Sequence, residues 1–315
     1  MPENEVPTMT AVLTKAFAFI LAIALGYGLK RVGFFSPNDH RVVSKIVLNI
    51  TMPAAVITSF ASMEFDSALL LLSLLGLGLN VAMFSIGALL SRKKARGDRA
   101  FYMVNLPGYN IGAFTLPYVQ SFLGPFGVVA TCLFDTGNAI MCTGCTYSIA
   151  GAMLGGRHEP GRLRAFFIRL FSSVPFDTYL ILLLISLLRL PIPQPVVTVT
   201  SIVGSANGFL AMFMIGLMFE IHLDREHLKQ VLQVLGLRYA VATVVALACY
   251  FALPLPLELR QVLAIVAFAP CSAISAVFTE KLGGDAALSS LTGSISILIS
   301  VTVITSMILG MGIGQ

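Results

Sequence analysis

The sequence predicts an all-α integral membrane protein with ten transmembrane helices, arranged as two inverted five-helix repeats in which proline-broken helices 4 and 9 cross. Three observations lead to this prediction. The composition is 57% hydrophobic and 11% charged, whereas about 25% of the residues in a water-soluble domain are charged. Ten apolar runs are long enough to cross roughly 30 Å of hydrocarbon. Short proline-containing polar stretches interrupt the fourth and the ninth of these runs.

The ten runs occupy most of the chain. They cover residues 8–29, 42–59, 67–90, 100–123, 125–154, 174–190, 196–219, 228–253, 257–280 and 286–312. The segment 161–173 mixes Arg with Phe and Leu, which is typical of an amphipathic helix lying in the membrane interface. The acidic N-terminus lacks the basic region of a cleavable signal peptide, so we expect the first run to be retained as a helix.

Basic residues are concentrated on one side of the predicted membrane protein. Seventeen of the 20 Lys and Arg residues, Arg238 among them, are assigned to the connections that follow runs 1, 3, 5, 7 and 9. Because positively charged connections stay in the cytoplasm, both termini are expected outside the bacterial inner membrane. The cluster "SRKKARGDR" (91–99) is interpreted as a cytoplasmic retention signal, and no nucleic-acid partner is expected.

The ten runs divide into two groups of five. Residues 1–154 form the predicted first repeat, 155–164 a cytoplasmic linker, and 165–315 the second repeat. Five spans per half bring the two halves into the membrane from opposite sides. In both halves a proline of the fourth span is followed by a short amphipathic piece, by Leu-Gly and by a span with small polar residues. Inverted repeats with broken helices at matching positions are typical of secondary transporters.

The interrupted spans contain the candidate substrate site. Pro117 alone fits a simple kink as well as a break, but Pro270 occupies the matching place in the second half. Two broken helices that cross near the midplane direct two partly positive half-helix N-termini at one small volume, which favours a carboxylate. The predicted substrate-binding residues are Asn110, Thr115 and Pro117 in span 4, and Pro270, Cys271 and Ser272 in span 9.

Four stretches of the sequence have a familiar pattern. They are "LGYGLKRVGFFSPNDHRVVSKIVLNITMPAAVITSF" (25–60), "YNIGAFTLP" (109–117), "GFLAMFMIGLMF" (208–219) and "APCSAISAVFTEKLGGD" (269–285). In this order they resemble the auxin efflux carrier family, which includes plant auxin exporters and bacterial carriers of malonate or malate. The resemblance covers essentially the whole chain. It implies a scaffold of helices 1, 2, 6 and 7, a moving transport domain of helices 3–5 and 8–10, and a homodimer.

The resemblance also implies a substrate contact. In the family an asparagine of helix 4 meets the substrate carboxylate, and Asn110 matches it in type and in its spacing to Pro117. Plant auxin carriers have an Asp and a Lys one turn apart in helix 3, and many have a long cytoplasmic loop. The stretch 67–84 has neither charge, Asn80 being its only strongly polar residue, and the long loop is missing. These differences favour a bacterial carrier of a small organic anion over an auxin exporter.

Polar residues inside the other spans suggest further roles. Asp135 lies near the middle of span 5, where a charge costs at least about 2.5–3.5 kcal/mol. Asn138 shares its helix face. Two interpretations stay open for this pair: a proton or cation site, or a buried acid that hydrogen-bonds the broken backbone of span 4.

Two more polar residues are candidates for the substrate site. Asp177 begins span 6, either as an acid favoured by the helix dipole or as a substrate-site residue. Asn49 interrupts span 2 and either lines the substrate cavity or makes packing contacts.

The predicted function is secondary active transport of a small carboxylate by an elevator-type movement of the transport domain, with proton coupling as one option. A sodium-coupled organic anion carrier of the bile-acid type and a non-transporting membrane sensor are the alternatives. The sequence contains no HExxH motif, zinc-ligand spacing or nucleophile–base pair. No enzyme activity, cofactor or metal is therefore expected.

Overall fold

The computed structural model describes residues 9–36, 38–63, 67–155, 162–219 and 228–313. The described residues are mostly helical and form no β-strand, so the predicted all-α class is confirmed. Residues 156–161, which make up most of the predicted linker 155–164, lie outside the described residues. The division of the chain into two repeats stays a prediction.

The described helices follow one another along the chain with short interruptions. In the first half they are α1 (Met9–Arg31), α2 (His40–Ile46), α3 (Met52–Ala61), α4 (Leu71–Leu90), α5 (Arg96–Asn105), α6 (Leu116–Phe122), α7 (Gly124–Ile140) and α8 (Thr146–Met153). In the second half they are α9 (Arg162–Leu170), α10 (Val174–Leu187), α11 (Gln194–Ser205), α12 (Asn207–Met218), α13 (Leu228–Leu247), α14 (Leu257–Ala267), α15 (Ser275–Lys281) and α16 (Ala286–Gly310). Wider π-helical turns occupy Val47–Thr51, Ile111–Thr115, Met141–Cys145 and Ala248–Ala252, and a 3₁₀ turn occupies Ser67–Leu70.

Seven helical segments of the described residues are long and apolar enough to cross a membrane. They are Val12–Arg31, His40–Ala61, Leu71–Leu90, Gly124–Met153, Gln194–Met218, Leu228–Ala252 and Ala286–Gly310. They coincide with predicted spans 1, 2, 3, 5, 7, 8 and 10. Predicted span 6 is the shorter apolar helix α10, and spans 4 and 9 are each divided into two short helices.

The expected break of span 4 at Pro117 is wrong. Helical structure continues from Ile111 to Phe122, and Pro117 lies in the first turn of α6, where a missing N–H costs little. The π-helical turn Ile111–Thr115 comes just before it and provides the wider backbone that a proline ring requires. The same arrangement precedes Pro53, because the π-helical turn Val47–Thr51 joins α2 to α3.

The break in span 4 lies between Asn105 and Ile111 instead. Pro107 and Gly108 lie in this segment, and Gly108 has a φ of +81°, which glycine adopts readily and other residues rarely do. The break in span 9 separates Ala267 from Ser275 and contains Pro270.

The two broken segments pair with each other. Tyr109 and Cys271 form an isolated antiparallel bridge. The Asn110 N–H donates to the Pro270 carbonyl oxygen at 2.9 Å, and the Ser272 N–H donates to the Gly108 carbonyl oxygen at 3.2 Å. The breaks of spans 4 and 9 therefore meet at one point, about ten residues before the place where Pro117 alone would have put it.

Close backbone contacts hold neighbouring helices together. α4 and α7 approach so closely that a Cβ atom on Gly137 would lie 1.9 Å from the Ser73 carbonyl oxygen. A Cβ atom on Gly216 of α12 would lie 2.1 Å from the Ile23 carbonyl oxygen of α1. Small residues at such positions let membrane helices pack backbone to backbone.

Candidate functional site

A cavity of about 240 Å³ lies where the two breaks meet. Its polar lining comes from the breaks and from the helices around them and includes Ser44, Asn110, Asp135, Asn138, Thr143 and Ser272. Its apolar wall includes Leu48, Met214, Met218 and Ile274. The cavity is thus bounded by both broken segments and by residues of predicted spans 2, 5, 6 and 7.

Asn138 replaces the helical hydrogen bonds that the first break has lost. Its Oδ1 accepts the Tyr109 N–H at 3.0 Å, and its Nδ2 donates to the Tyr109 carbonyl oxygen at 2.9 Å. The same Nδ2 also donates to Asp135 Oδ1 at 2.8 Å. Asn138 is buried and has both functional groups occupied. It therefore serves the backbone of the break.

Asn80 of α4 completes this support. Its Oδ1 accepts the Gly108 N–H at 2.7 Å, and its Nδ2 donates to Asn138 Oδ1 at 3.1 Å. Since Pro107 has no N–H, the N–H groups of Gly108, Tyr109 and Asn110 are the donors of the break, and all of them are paired.

Arg238 of α13 holds the carbonyl groups of both breaks. Its guanidinium donates to the carbonyl oxygens of Leu106, Gly108, Ala269 and Pro270 at 2.5 to 3.2 Å. The side chain is only 1% exposed. Its assignment to a cytoplasmic connection is therefore wrong, because a guanidinium that binds carbonyl oxygens inside the protein does not need to reach the membrane surface.

Hydroxyl groups of α16 satisfy the second break. Ser296 Oγ accepts the Cys271 N–H at 3.0 Å, and Ser300 Oγ donates to the Phe268 carbonyl oxygen at 2.7 Å. Cys271 is buried, and its thiol faces the Asn105 carbonyl oxygen at 3.6 Å.

Asn110 is placed differently from the other amides of the site. It stands at the start of the helical stretch Ile111–Phe122 and lines the cavity. Its backbone is engaged by Pro270, but within the described part of the chain its side-chain amide makes no hydrogen bond. The amide is therefore available to a ligand in the cavity.

Asp135 lines the cavity and is 8% exposed. Its carboxylate accepts hydrogen bonds from Asn138 Nδ2 at 2.8 Å and from the Tyr179 hydroxyl at 3.2 Å. No cationic side chain of the described residues contacts it. A buried acid with neutral partners alone is costly to ionise.

Four other predicted site residues lie next to lining residues but do not themselves line the cavity. Pro270 and Cys271 belong to the second break next to Ser272. Thr115 and Pro117 are buried in the helix that begins at Asn110, and Thr115 donates back to the Asn110 carbonyl oxygen.

The last two predicted residues, Asn49 and Asp177, do not line the cavity either. Asn49 is exposed, and its amide donates to the Lys45 carbonyl oxygen of its own helix at 2.9 Å. Asp177 lies in the first turn of α10, beside the lining residues Pro175 and Phe176.

At the end of α12 opposite the cavity, hydrogen bonds between uncharged groups join predicted spans 2, 4 and 7. Asn207 begins α12 while Met218 ends it, so they are roughly 16 Å apart along the helix axis. Asn207 Nδ2 donates to Gln120 Oε1 at 3.2 Å, and Gln120 Nε2 donates to the Gly204 carbonyl oxygen at 3.3 Å. Thr51 donates to Asn207 Oδ1 at 3.1 Å. We call this set the distal seal.

Sequence reasoning identified Asn110, Asp135 and Asn138 but missed Asn80 and Arg238 as site components. Asn80 had a detectable signal, because it is the one strongly polar side chain of its span. Arg238 lies ten residues inside α13, in the sequence "LGLRYAV", and its position within an apolar helix was the signal that a count of loop charges overlooked.

Replacing Asn138 with Ala should destabilise the protein strongly. The change leaves the N–H and the carbonyl of Tyr109 unpaired in a buried position, and each unpaired group costs about 1–3 kcal/mol. Thermal unfolding in detergent measures the effect, with Asn49→Ala as the matched control because Asn49 bonds only its own exposed helix. Equal melting temperatures for the two variants would contradict the assignment of Asn138 to the break.

Comparison with known proteins identifies the chain as similar to membrane transporters. The sequence profile of the family described as "Membrane transport protein" matches residues 11–160. A protein of Methanothermobacter thermautotrophicus described as an "Uncharacterized transporter" is 23% identical over 238 residues, which is 72% of this chain and 74% of that protein. The chain is thus an integral membrane transporter and not an enzyme. Residues 11–160 match the membrane transport protein family, which agrees with the resemblance to the auxin efflux carriers.

Proposed function

We propose that the protein is a secondary active transporter of a small organic anion, with a carboxylate bound in the cavity between the two breaks. The observation that carries this proposal is the free amide of Asn110 at the point where the two broken helices pair. Two residues with side-chain donors line this volume, Asn110 and Ser272, and the first-turn N–H groups of the helical stretch Ile111–Phe122 lie beside them.

The size of the cavity favours a small substrate. Drug-sized ligands occupy pockets of about 300–1,000 Å³, whereas this cavity holds about 240 Å³. Short dicarboxylates such as malonate or malate therefore fit better than an acid with an aromatic ring system such as indole-3-acetate. The apolar wall formed by Leu48, Met214 and Met218 accommodates the carbon backbone of such an acid.

We further propose ten membrane spans in two inverted repeats. Each break receives hydrogen bonds from the preceding and the following predicted span: α4 and α7 bond the first break, and α13 and α16 bond the second. This matching arrangement supports the inverted repeat. The homodimer and the external position of both termini rest on the family resemblance and on the distribution of basic residues.

Alternating access would proceed by an elevator-type movement of the breaks and their supporting helices against the scaffold. The cavity extends to the ends of α10 and α12, while the distal seal closes the opposite end. The seal joins Gln120, which follows the first break, to Asn207 and Gly204 of the proposed scaffold. Opening the other end requires these bonds to separate, and water can replace them because they are neutral.

Asp135 is the proposed coupling residue. An anion that enters the cavity meets the Asp135 carboxylate at the same surface, and two negative charges in a poorly hydrated cavity repel each other. Protonation of Asp135 removes this repulsion, so a carboxylate and a proton would bind together. Asn138 holds Asp135 in place through its 2.8 Å hydrogen bond.

Flux into proteoliposomes tests the function. We expect carrier-dependent uptake of malonate or malate and weaker uptake of indole-3-acetate. Asn110→Ala should raise the apparent KM at least about tenfold, since it removes an amide that bonds a charged ligand, while Asn49→Ala should leave it unchanged. Absence of flux for every carboxylate would refute the proposal, and ligand binding without flux would favour the sensor.

Asp135→Asn should remove the dependence of uptake on a pH gradient. The amide keeps the hydrogen bonding of the site but cannot take up a proton. Uptake is measured with and without an inward proton gradient, and with sodium or potassium outside. A pH-gradient dependence that survives in the variant excludes Asp135 as the proton site, and uptake that requires sodium would support the sodium-coupled alternative.

Weakening the distal seal should favour the opposite conformation. Gln120→Ala removes two hydrogen bonds, each worth about 0.5–1.5 kcal/mol. A cysteine introduced at buried Ser59, beside Gln120 in a neighbouring cavity, should then react roughly fivefold faster or more with a membrane-impermeant thiol reagent. Gln194→Ala is the control, because Gln194 begins α11 outside the seal. Unchanged labelling would count against a seal at Gln120.

A further inference from the structure

Arg238 is buried where the two breaks meet, and no acid of the described residues compensates its charge. Its hydrogen-bond partners are four carbonyl groups, and its guanidinium lies 4.3 Å from the centroid of the Tyr109 ring. Its Nε atom is buried and makes no hydrogen bond within the described chain. Asp135 bonds Asn138 and Tyr179 instead. An isolated buried charge is expensive unless something of opposite sign or strong polarity accompanies it.

Uncharged donors can also form the hydrogen bonds that the carbonyl groups of the breaks need. Hydroxyl groups perform the same task at the second break, where Ser300 Oγ donates to the Phe268 carbonyl oxygen at 2.7 Å, and amides serve at the first break. A guanidinium in this position therefore adds a property that neutral donors lack, which is a positive potential inside the membrane.

The position of Arg238 transmits that potential to the cavity without direct contact. Arg238 does not line the cavity, but Tyr109, over which it stacks, does. The carbonyl oxygens of Gly108 and Pro270 accept hydrogen bonds from Arg238. Two residues after each of them comes a residue that lines the cavity, Asn110 after Gly108 and Ser272 after Pro270. Turning these oxygens toward Arg238 keeps their negative ends away from an anion in the cavity.

We propose that Arg238 is a positioning residue that acts as the fixed countercharge of the anionic substrate. It joins the two breaks into one unit and supplies the positive potential that favours an anion over a neutral molecule. This inference rests on the proposed function and deepens it, because it names the source of the anion preference in a cavity that no basic side chain of the described residues lines.

The experiment compares the KM and the maximal rate of malonate uptake for R238K and R238Q with those of the unmodified protein. A countercharge predicts that R238Q raises the KM at least about tenfold, whereas R238K, which keeps the charge, stays within about threefold. The matched control is R260Q. Arg260 also donates to a carbonyl oxygen, that of Tyr250 at 2.9 Å, and stacks on the Tyr250 ring, but it does not line the cavity or contact the breaks.

Three results would overturn the inference. R238K and R238Q could raise the KM equally, which would make the role of Arg238 purely geometric. R238Q could leave the KM unchanged, or R260Q could raise it as much as R238Q does. If the unmodified protein moves no carboxylate, the proposed function itself fails. If the unmodified protein transports a carboxylate but the KM does not depend on the charge at position 238, only this inference is refuted and the proposed function stands.

R238H replaces R238Q if the glutamine variant does not fold. The titratable groups around position 238 are Tyr109, Tyr239, Cys142 and Cys271, and phenols and thiols are ordinarily neutral at pH 7. The malonate KM of R238H should therefore rise as the pH is raised and the histidine loses its charge, more steeply than in the unmodified protein. Parallel pH profiles for the two proteins would overturn the inference.

Discussion

The hydrogen bonding of the unwound backbone at the crossing of the two breaks is the constraint on which the rest of this structure depends. The interior of a membrane offers no water, so every unpaired N–H or carbonyl group costs several kcal/mol. A helix pairs its N–H and carbonyl groups with each other, whereas a break leaves some of these groups without a partner in the helix. Asn80, Asn138 and Arg238 supply the missing partners from three different helices. The crossing exists only because those helices pack around it.

The same hydrogen bonds define which parts of the protein stay together. Arg238 contacts both breaks at once, and Asn138 joins the first break to α7. A charged donor on four carbonyl groups is stronger than the neutral amide contacts of the distal seal. This contrast favours a rigid unit around the breaks and a separable contact at its edge, as alternating access requires.

The polar residues of the site have different roles because they have different hydrogen-bond partners. Asn138 and Asn80 have their amides occupied by backbone, whereas the Asn110 amide is left available at the cavity. Two asparagines thus have different roles: buried Asn138 holds the break, and half-buried Asn110 is free to hold a ligand. Asp135 combines the two roles, because it accepts a hydrogen bond from Asn138 and also lines the cavity.

The sequence by itself determined the all-helical membrane class and the position of most spans, and it singled out Asn110, Asp135 and Asn138 as candidate site residues. Composition and run length suffice for these, because the membrane imposes them on each segment separately. Only the tertiary structure decided that span 4 breaks at Pro107 and Gly108 and that Pro117 stays helical. The effect of a proline depends on whether the preceding turn can widen and whether side chains from other helices can bond the freed backbone. Those partners, above all Arg238, are remote in sequence and come together only when the chain folds.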